Sequence, residues 1–286
     1  MTTQIVCAAL AEDIGPGDVS AAIFSDSEAG KAHFLAKQNG ILSGNAIVNE
    51  VFSQLSPAAK VRWRIRDGEA FTKGMVLGEV SGPFAILLQG ERVSLNFLQR
   101  MSGIATLTNQ FVQALGPAGN IGIYDTRKTT PLLREFEKQA VVHGGGQNHR
   151  FGLYDMAMLK NNHIDAAGGV ASAVARLHEN GFFDPRSRRH LCIEARDLAE
   201  ALDALSNRAD IVMLDNMPPR KIREVVAKIE TRARQLRRPM PQIEVSGGIT
   251  LKNIRNYSRL PIDRISVGAI THSAPSLDIA LHFDSE

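Results

Sequence analysis

The chain has 286 residues, 44% of them hydrophobic, and a formal charge of +3 from 33 Lys and Arg against 30 Asp and Glu. That length suits one large α/β domain or two smaller ones, and the small, dispersed positive excess excludes the basic footprint of a nucleic-acid binder. Two cysteines, Cys7 and Cys192, cannot form a disulfide framework or the close pairs of a zinc site. The opening MTTQIVCAALAEDIGPGD lacks the basic start and apolar core of a signal peptide. No apolar run reaches the ~18 residues of a membrane span, so the expected compartment is the cytoplasm.

In chain order, the first hundred residues read as mixed helix and strand. KAHFLAKQNGILSG and KVRWRIRDGEAFTKGMVLGEVSG alternate and carry Gly and Asp-Gly turns, which predicts antiparallel hairpins. Trp63, alone in an alternating run, reads as packing. Residues 89–115 have helical spacing of apolar side chains, closed by Gly116-Pro117. The pattern then changes. Short apolar runs (IGIYDT, DMAMLK, HLCIEA, DIVMLD, QIEVSG, RISVGA) alternate with helical ones (GGVASAVARLHEN, DLAEALDALSN, PPRKIREVVAKIETRARQL). Strands apolar on both faces, separated by helices, are those of a buried parallel sheet, and a barrel is its natural closure.

The runs end in polar residues: Asp125 to Lys128, Lys160 to His163, Glu194, Asp215-Asn216, Ser246 to Gly248, and Gly268. In a β/α barrel these ends share one mouth, where active sites sit. The expected mouth holds the carboxylates Glu194 and Asp215, the cations Arg127, Lys128, His149, Arg150 and Lys160, and two glycine turns that suit a phosphate at a helix N-terminus. The run Arg232 to Arg238 and the cluster Arg186-Ser187-Arg188-Arg189 read as exposed surface. GxxxxGK[ST], HExxH and GxSxG are absent. A polyanionic substrate with Mg²⁺ fits; phosphoribosyl transfer and a Schiff-base aldolase using Lys160 both remain open.

YDTRKTTPLLREFEKQAVVHGGGQNHRFGLYDMAMLKNNHI resembles the signature of the quinolinate phosphoribosyltransferases, also called nicotinate-nucleotide pyrophosphorylases (carboxylating). ALAEDIGPGDVS, LNFLQRMSGIAT, EVSGGIT and ISVGAITHSAPSLDIAL fit the same family in order. The resemblance implies an N-terminal α/β sandwich domain over residues 1–106, an open parallel α/β barrel over 107–273, and a tail from about 274 that packs back on the first domain. It implies conversion of quinolinate and phosphoribosyl pyrophosphate (PRPP) to nicotinate mononucleotide, pyrophosphate and CO₂ in NAD synthesis, with Mg²⁺. It assigns Arg127, His149, Arg150 and Lys160 to quinolinate, with Arg100 reaching the partner's site in a homodimer. It assigns Lys128, Glu194 and Asp215 to PRPP and its Mg²⁺, the two carboxylates and Lys160 being the catalytic set. Ser246, Gly247, Gly248, Gly268 and His272 are assigned to the 5′-phosphate. Gln139 and Asn161 depart from residues common in the family. A paralogous group tied to molybdenum uptake shares these motifs but typically loses the lysine matching Lys160.

Overall fold

The computed structural model describes residues 2–25, 28–116, 120–182 and 189–284. Residues 186–188 of the expected surface cluster lie outside them. The chain divides into two compact units: residues 1–109, 129–146 and 270–286, and residues 110–128 and 147–269.

The first unit opens with α1 (Thr2–Ile14), β1 (Ala29–Ala36), β2 (Gly40–Ile41), α2 (Asn45–Leu55), β3 (Lys60–Trp63), β4 (Ala70–Phe71) and β5 (Val76–Pro83). The long helix α3 (Phe84–Leu115) starts in it and ends in the second unit. Its apolar spacing carries Leu87, Leu95 and Leu98 into a core with Phe34, Phe52 and Leu42. Trp63 stacks on Phe34 at 5.1 Å and donates to Asn49 Oδ1.

Of the two runs expected to form antiparallel hairpins, KVRWRIRDGEAFTKGMVLGEVSG pairs within itself, β3 with β5 around β4, but KAHFLAKQNGILSG does not. β1 pairs antiparallel with β5 on one side and with β12 (Ile279–Phe283) on the other, and β3 pairs with β5. Both edges of β1 are thus taken, and β2 pairs instead with β4 in a separate two-stranded ribbon. Strand β12 closes the four-stranded sheet from the other end of the chain. The unit also holds α4 (Arg134–His143), a segment the sequence reading placed with the barrel.

The second unit contains all six expected strands: β6 (Gly122–Tyr124), β7 (Met156–Leu159), β8 (His190–Ala195), β9 (Ile211–Asp215), β10 (Gln242–Ser246) and β11 (Arg264–Ser266). They form one parallel sheet in the order β6-β11-β10-β9-β8-β7. That is a circular order opened between β6 and β7, the arrangement of an open α/β barrel. Helices α5 (Asn161–Ala167), α6 (Val170–Glu179), α7 (Leu198–Ser206) and α8 (Pro219–Leu236) connect the strands as the helical runs require. Between β6 and β7, residues 147–149 run beside β6: Gln147 N–H donates to Ile123 O and Asp125 N–H to Gln147 O. A final one-turn helix, α9 (Ala269–His272), follows β11.

Candidate active site

Strand register sorts the ends of this sheet into layers. Asp215, Ser246, Ser266 and Tyr124 stand level across β9, β10, β11 and β6. Two residues earlier, facing the same side, come Met213, Glu244 and Arg264, with Glu194 of β8 level with Met213. A cavity of about 300 Å³ opens over these layers, lined by Thr126, Arg127, Lys128, His149 and Arg150, then Met158, Lys160, Met213, Ser246 and Ser266.

Each cation arrives by a different route. Arg127 and Lys128 follow β6, and Lys128 N–H donates to Thr126 Oγ1 at 3.1 Å. Lys160 follows β7 and begins α5, where the His163 ring accepts its backbone N–H at 3.1 Å. Its ammonium stands 3.6 Å from Glu194, a carboxylate only 7% exposed. His149 and Arg150 are buried. Burial, and then the charge of Arg127, pull the Arg150 guanidinium below its usual pKa. Two mutually repelling guanidiniums in one cavity form a site that an anion relieves.

The three histidines of the stretch HGGGQNHRFGLYDMAMLKNNH thus separate. His143 meets Ser43 Oγ inside the first unit, His149 lines the cavity, and His163 caps α5. The triple glycine permits close packing. A side chain at Gly144 would collide with the Ala105 carbonyl and Thr108 of α3, and Gly145 has φ +86°.

The glycine turn expected to suit a phosphate follows β10. Gly247 (φ +93°) and Gly248 (φ +62°) take left-handed conformations, and a Cβ on Gly247 would meet Asn216. Asn216, itself at φ +52°, donates to Asp215 Oδ2 at 2.8 Å and from its backbone N–H to Ser246 O at 2.9 Å. One residue thereby ties the end of β9 to the glycine turn. The helix N-terminus expected behind this turn is not there. A turn and a short 3₁₀ segment (Ile254–Tyr257) follow instead. Gly268 follows β11 in the second unit.

Two expected residues lie in the first unit. His272 ends α9 and meets Ser273 Oγ through Nδ1 at 2.7 Å. Arg100 donates to Glu137 Oε1 at 3.1 and 2.8 Å, to the Ala274 carbonyl at 2.8 Å and to the Thr271 carbonyl, all within its own unit.

Sequence reading missed the layer below the mouth. Glu244, fully buried, accepts from Ser266 Oγ and stands 3.1 Å from both His149 Nε2 and Arg264 Nε. The Arg264 guanidinium lies 3.9 Å over the Tyr124 ring. Burial pushes the Glu244 carboxyl up, but the His149 hydrogen bond, the charges of His149 and Arg264, and the Ser266 hydroxyl outweigh it, so its pKa lies below the usual value. The signal was present: a Glu and an Arg each stand inside an otherwise apolar strand run, where charges are costly unless paired.

Family models for the N-terminal and C-terminal domains of quinolinate phosphoribosyl transferase match residues 18–102 and 104–282. The chain belongs to the quinolinate phosphoribosyltransferase family. It is 41% identical to the chloroplastic nicotinate-nucleotide pyrophosphorylase [carboxylating] of Arabidopsis thaliana, over 99% of this chain and 82% of that one. It is 40% identical to the probable nicotinate-nucleotide pyrophosphorylase [carboxylating] of Bacillus subtilis, over 94% of this chain and 89% of that one. Among solved structures of the family, NadC from Streptococcus pyogenes superposes with a TM-score of 0.90 at 39% identity, covering 99% of this chain and 96% of that one.

Proposed function

We propose that the cavity at the end of the parallel sheet is where this family member joins quinolinate to PRPP, releasing nicotinate mononucleotide, pyrophosphate and CO₂. The observation that carries the reading is the convergence of Arg127, His149, Arg150 and Lys160 on one cavity of about 300 Å³. Two adjacent carboxylates on a flat ring need several cations held at fixed angles, and planar guanidiniums supply them. Met158 and Met213 give the ring an apolar wall. The ammonium of Lys160, paired with Glu194, serves charge recognition rather than the neutral nucleophile an aldolase would need.

Glu194 and Asp215 face the ribose. Positive charge develops at its anomeric carbon as pyrophosphate leaves and the quinolinate nitrogen attacks, and fixed carboxylates stabilise it. Loss of CO₂ follows ribosylation, because the positive quaternary ring nitrogen then stabilises the electron pair left at C2 until a proton from water takes it. Loss of CO₂ from quinolinate without PRPP would sink this order. Mg²⁺ belongs to the reading. Among the described residues no group of three ligating side chains exists, so the hard oxygens of Glu194 and Asp215 suit an ion that arrives with the pyrophosphate and keeps several waters. When bound, it neutralises charge on the leaving group. Lys128 serves the pyrophosphate, and Ser246, Gly247, Gly248, Gly268 and His272 the 5′-phosphate.

A homodimer completes the reading, with Arg100 as the residue handed to the second subunit. Such delivery requires Arg100 to exchange the bonds it makes in its own chain. Cys7 and Cys192 are both free thiols, which accords with a reducing cytoplasm.

The test is turnover of quinolinate with PRPP and Mg²⁺, following nicotinate mononucleotide and CO₂ together, with nicotinate as the competing substrate. Nicotinate leaves the C2-carboxylate cations unpaired and should turn over at least ~100-fold less well. Binding of quinolinate without product would move the assignment to a dicarboxylate-binding protein.

A further inference from the structure

Glu244 has no part in recognising either substrate directly: it is fully buried below the cavity. A buried ion pair contributes little net stability, so packing alone does not explain a carboxylate at this point in β10. The surroundings of His149 do. Its Nδ1 accepts the Arg150 backbone N–H at 2.7 Å, so that nitrogen carries a lone pair. The proton therefore sits on Nε2, which donates to Glu244 at 3.1 to 3.2 Å. The His149 backbone N–H donates to Asp125 Oδ1 at 2.8 Å, and Asp125 is also fully buried. Two buried carboxylates thus grip one histidine, one by its ring and one by its backbone. Both ring nitrogens are engaged, so His149 contributes a fixed wall and a fixed chain direction rather than a spare N–H. The next residue in that direction is Arg150, whose guanidinium donates to Met156 O at 3.2 Å and lines the cavity. Glu244 is itself held on two sides, by Ser266 of the adjacent strand and by Arg264, whose own plane rests on Tyr124.

We infer that Glu244 is a positioning residue for quinolinate: acting through the His149 ring, it fixes the side of the cavity that ends in Arg150, while Arg264 and Ser266 hold Glu244 in place. The inference rests on the quinolinate reading of the cavity.

Three proteins test it: wild type, E244Q, and the double variant E244M/R264M, which removes both members of the Glu244–Arg264 ion pair and so leaves neither charge buried without the other. Steady-state kinetics with each substrate varied are paired with thermal midpoints and with the ¹⁵N signals of the His149 imidazole. E244Q should raise the KM for quinolinate roughly tenfold, since a hydrogen bond to a charged partner is weakened, and change the KM for PRPP less than about twofold. The double variant should regain the thermal midpoint, as replaced buried pairs often do, yet keep the raised quinolinate KM. Its His149 Nε2–H signal should also lose the downfield shift of a hydrogen bond to a carboxylate, while Nδ1 still accepts from Arg150. A normal quinolinate KM in the double variant overturns the inference, as does an equal rise in both KM values. Failure of both variants to fold would assign Glu244 to stability alone and overturn it too. A wild type that does not turn over quinolinate retires the substrate reading instead. In that case an unchanged His149 Nε2–H signal in the double variant overturns the bracket itself, and loss of its hydrogen-bonded shift upholds it.

Discussion

Glu137 and Glu244 are both carboxylates no more than 1% exposed, one in each unit, and each gathers an arginine and a hydroxyl. Glu137, on α4, accepts from Arg100 and from the backbone and hydroxyl of Thr130. Glu244, on β10, accepts from Ser266 and pairs with Arg264 and His149. The chemistry is nearly the same, but the outlets differ. The donors on Glu137 hold a helix, a loop and the chain near residue 274 together inside the first unit. Two of the partners of Glu244, His149 and Ser266, go on to line the cavity. A buried carboxylate is therefore a brace or part of a site according to where its partners point, and neither burial nor charge distinguishes the two.

Several variants would break or sharpen that contrast. The largest effect belongs to Lys160, which touches the cavity directly: K160A should lower kcat/KM by about 100- to 1000-fold, the scale for removing one fixed charge at a reacting site, with little change in thermal midpoint. E137A comes next, in stability instead of rate. Removing one partner of a buried pair costs about 3–5 kcal/mol, read as a lower denaturation midpoint, while both KM values stay near wild type. A raised quinolinate KM in E137A would show Glu137 acting on the site through Arg100, and the contrast between the two carboxylates would fail. G247A is smaller and selective. Its Cβ has no room beside Asn216 and its φ is +93°, so the KM for PRPP should rise about tenfold with the quinolinate KM unmoved, from backbone strain of order 1–3 kcal/mol.

The smallest effect is on pH dependence. The folded-state pKa of Glu244 lies below its ordinary value near 4.5. Its contribution to stability is therefore present above that value and is lost as pH falls through the lower, folded one. The thermal midpoint should drop on acidification below about pH 4.5, and E244Q should flatten that drop.

Much of this was legible in the linear pattern. The six parallel strands, the helices between them and the polar strand ends could be read because a strand buried on both faces must be apolar until it reaches the mouth. Lys160 was legible for the same reason, as the first charge after an apolar run, and Arg127 and Lys128 as part of the polar end of another, whereas His149 and Arg150 stand in a loop that no strand end marks. The first unit was less legible. Its strands alternate as hairpins do, yet β1 takes its partners from β5 and from β12 at the far end of the chain. Local spacing has no access to such pairings. The roles of Asn216 and Arg264 were not legible because they depend on register across strands.

Local pattern was enough for the open parallel sheet and for the end of it where a cation-lined cavity opens, since periodicity and strand ends are local consequences of burial. Tertiary structure decided which charges meet. It sent His163 to a helix cap, His149 to a cavity wall and Arg100 to Glu137. It also set Glu244 beneath the mouth, level with Arg264 and two residues below Ser246. The physical reason is that a buried charge takes its meaning from its partners. Those partners are fixed by strand register and by segments far apart in the chain.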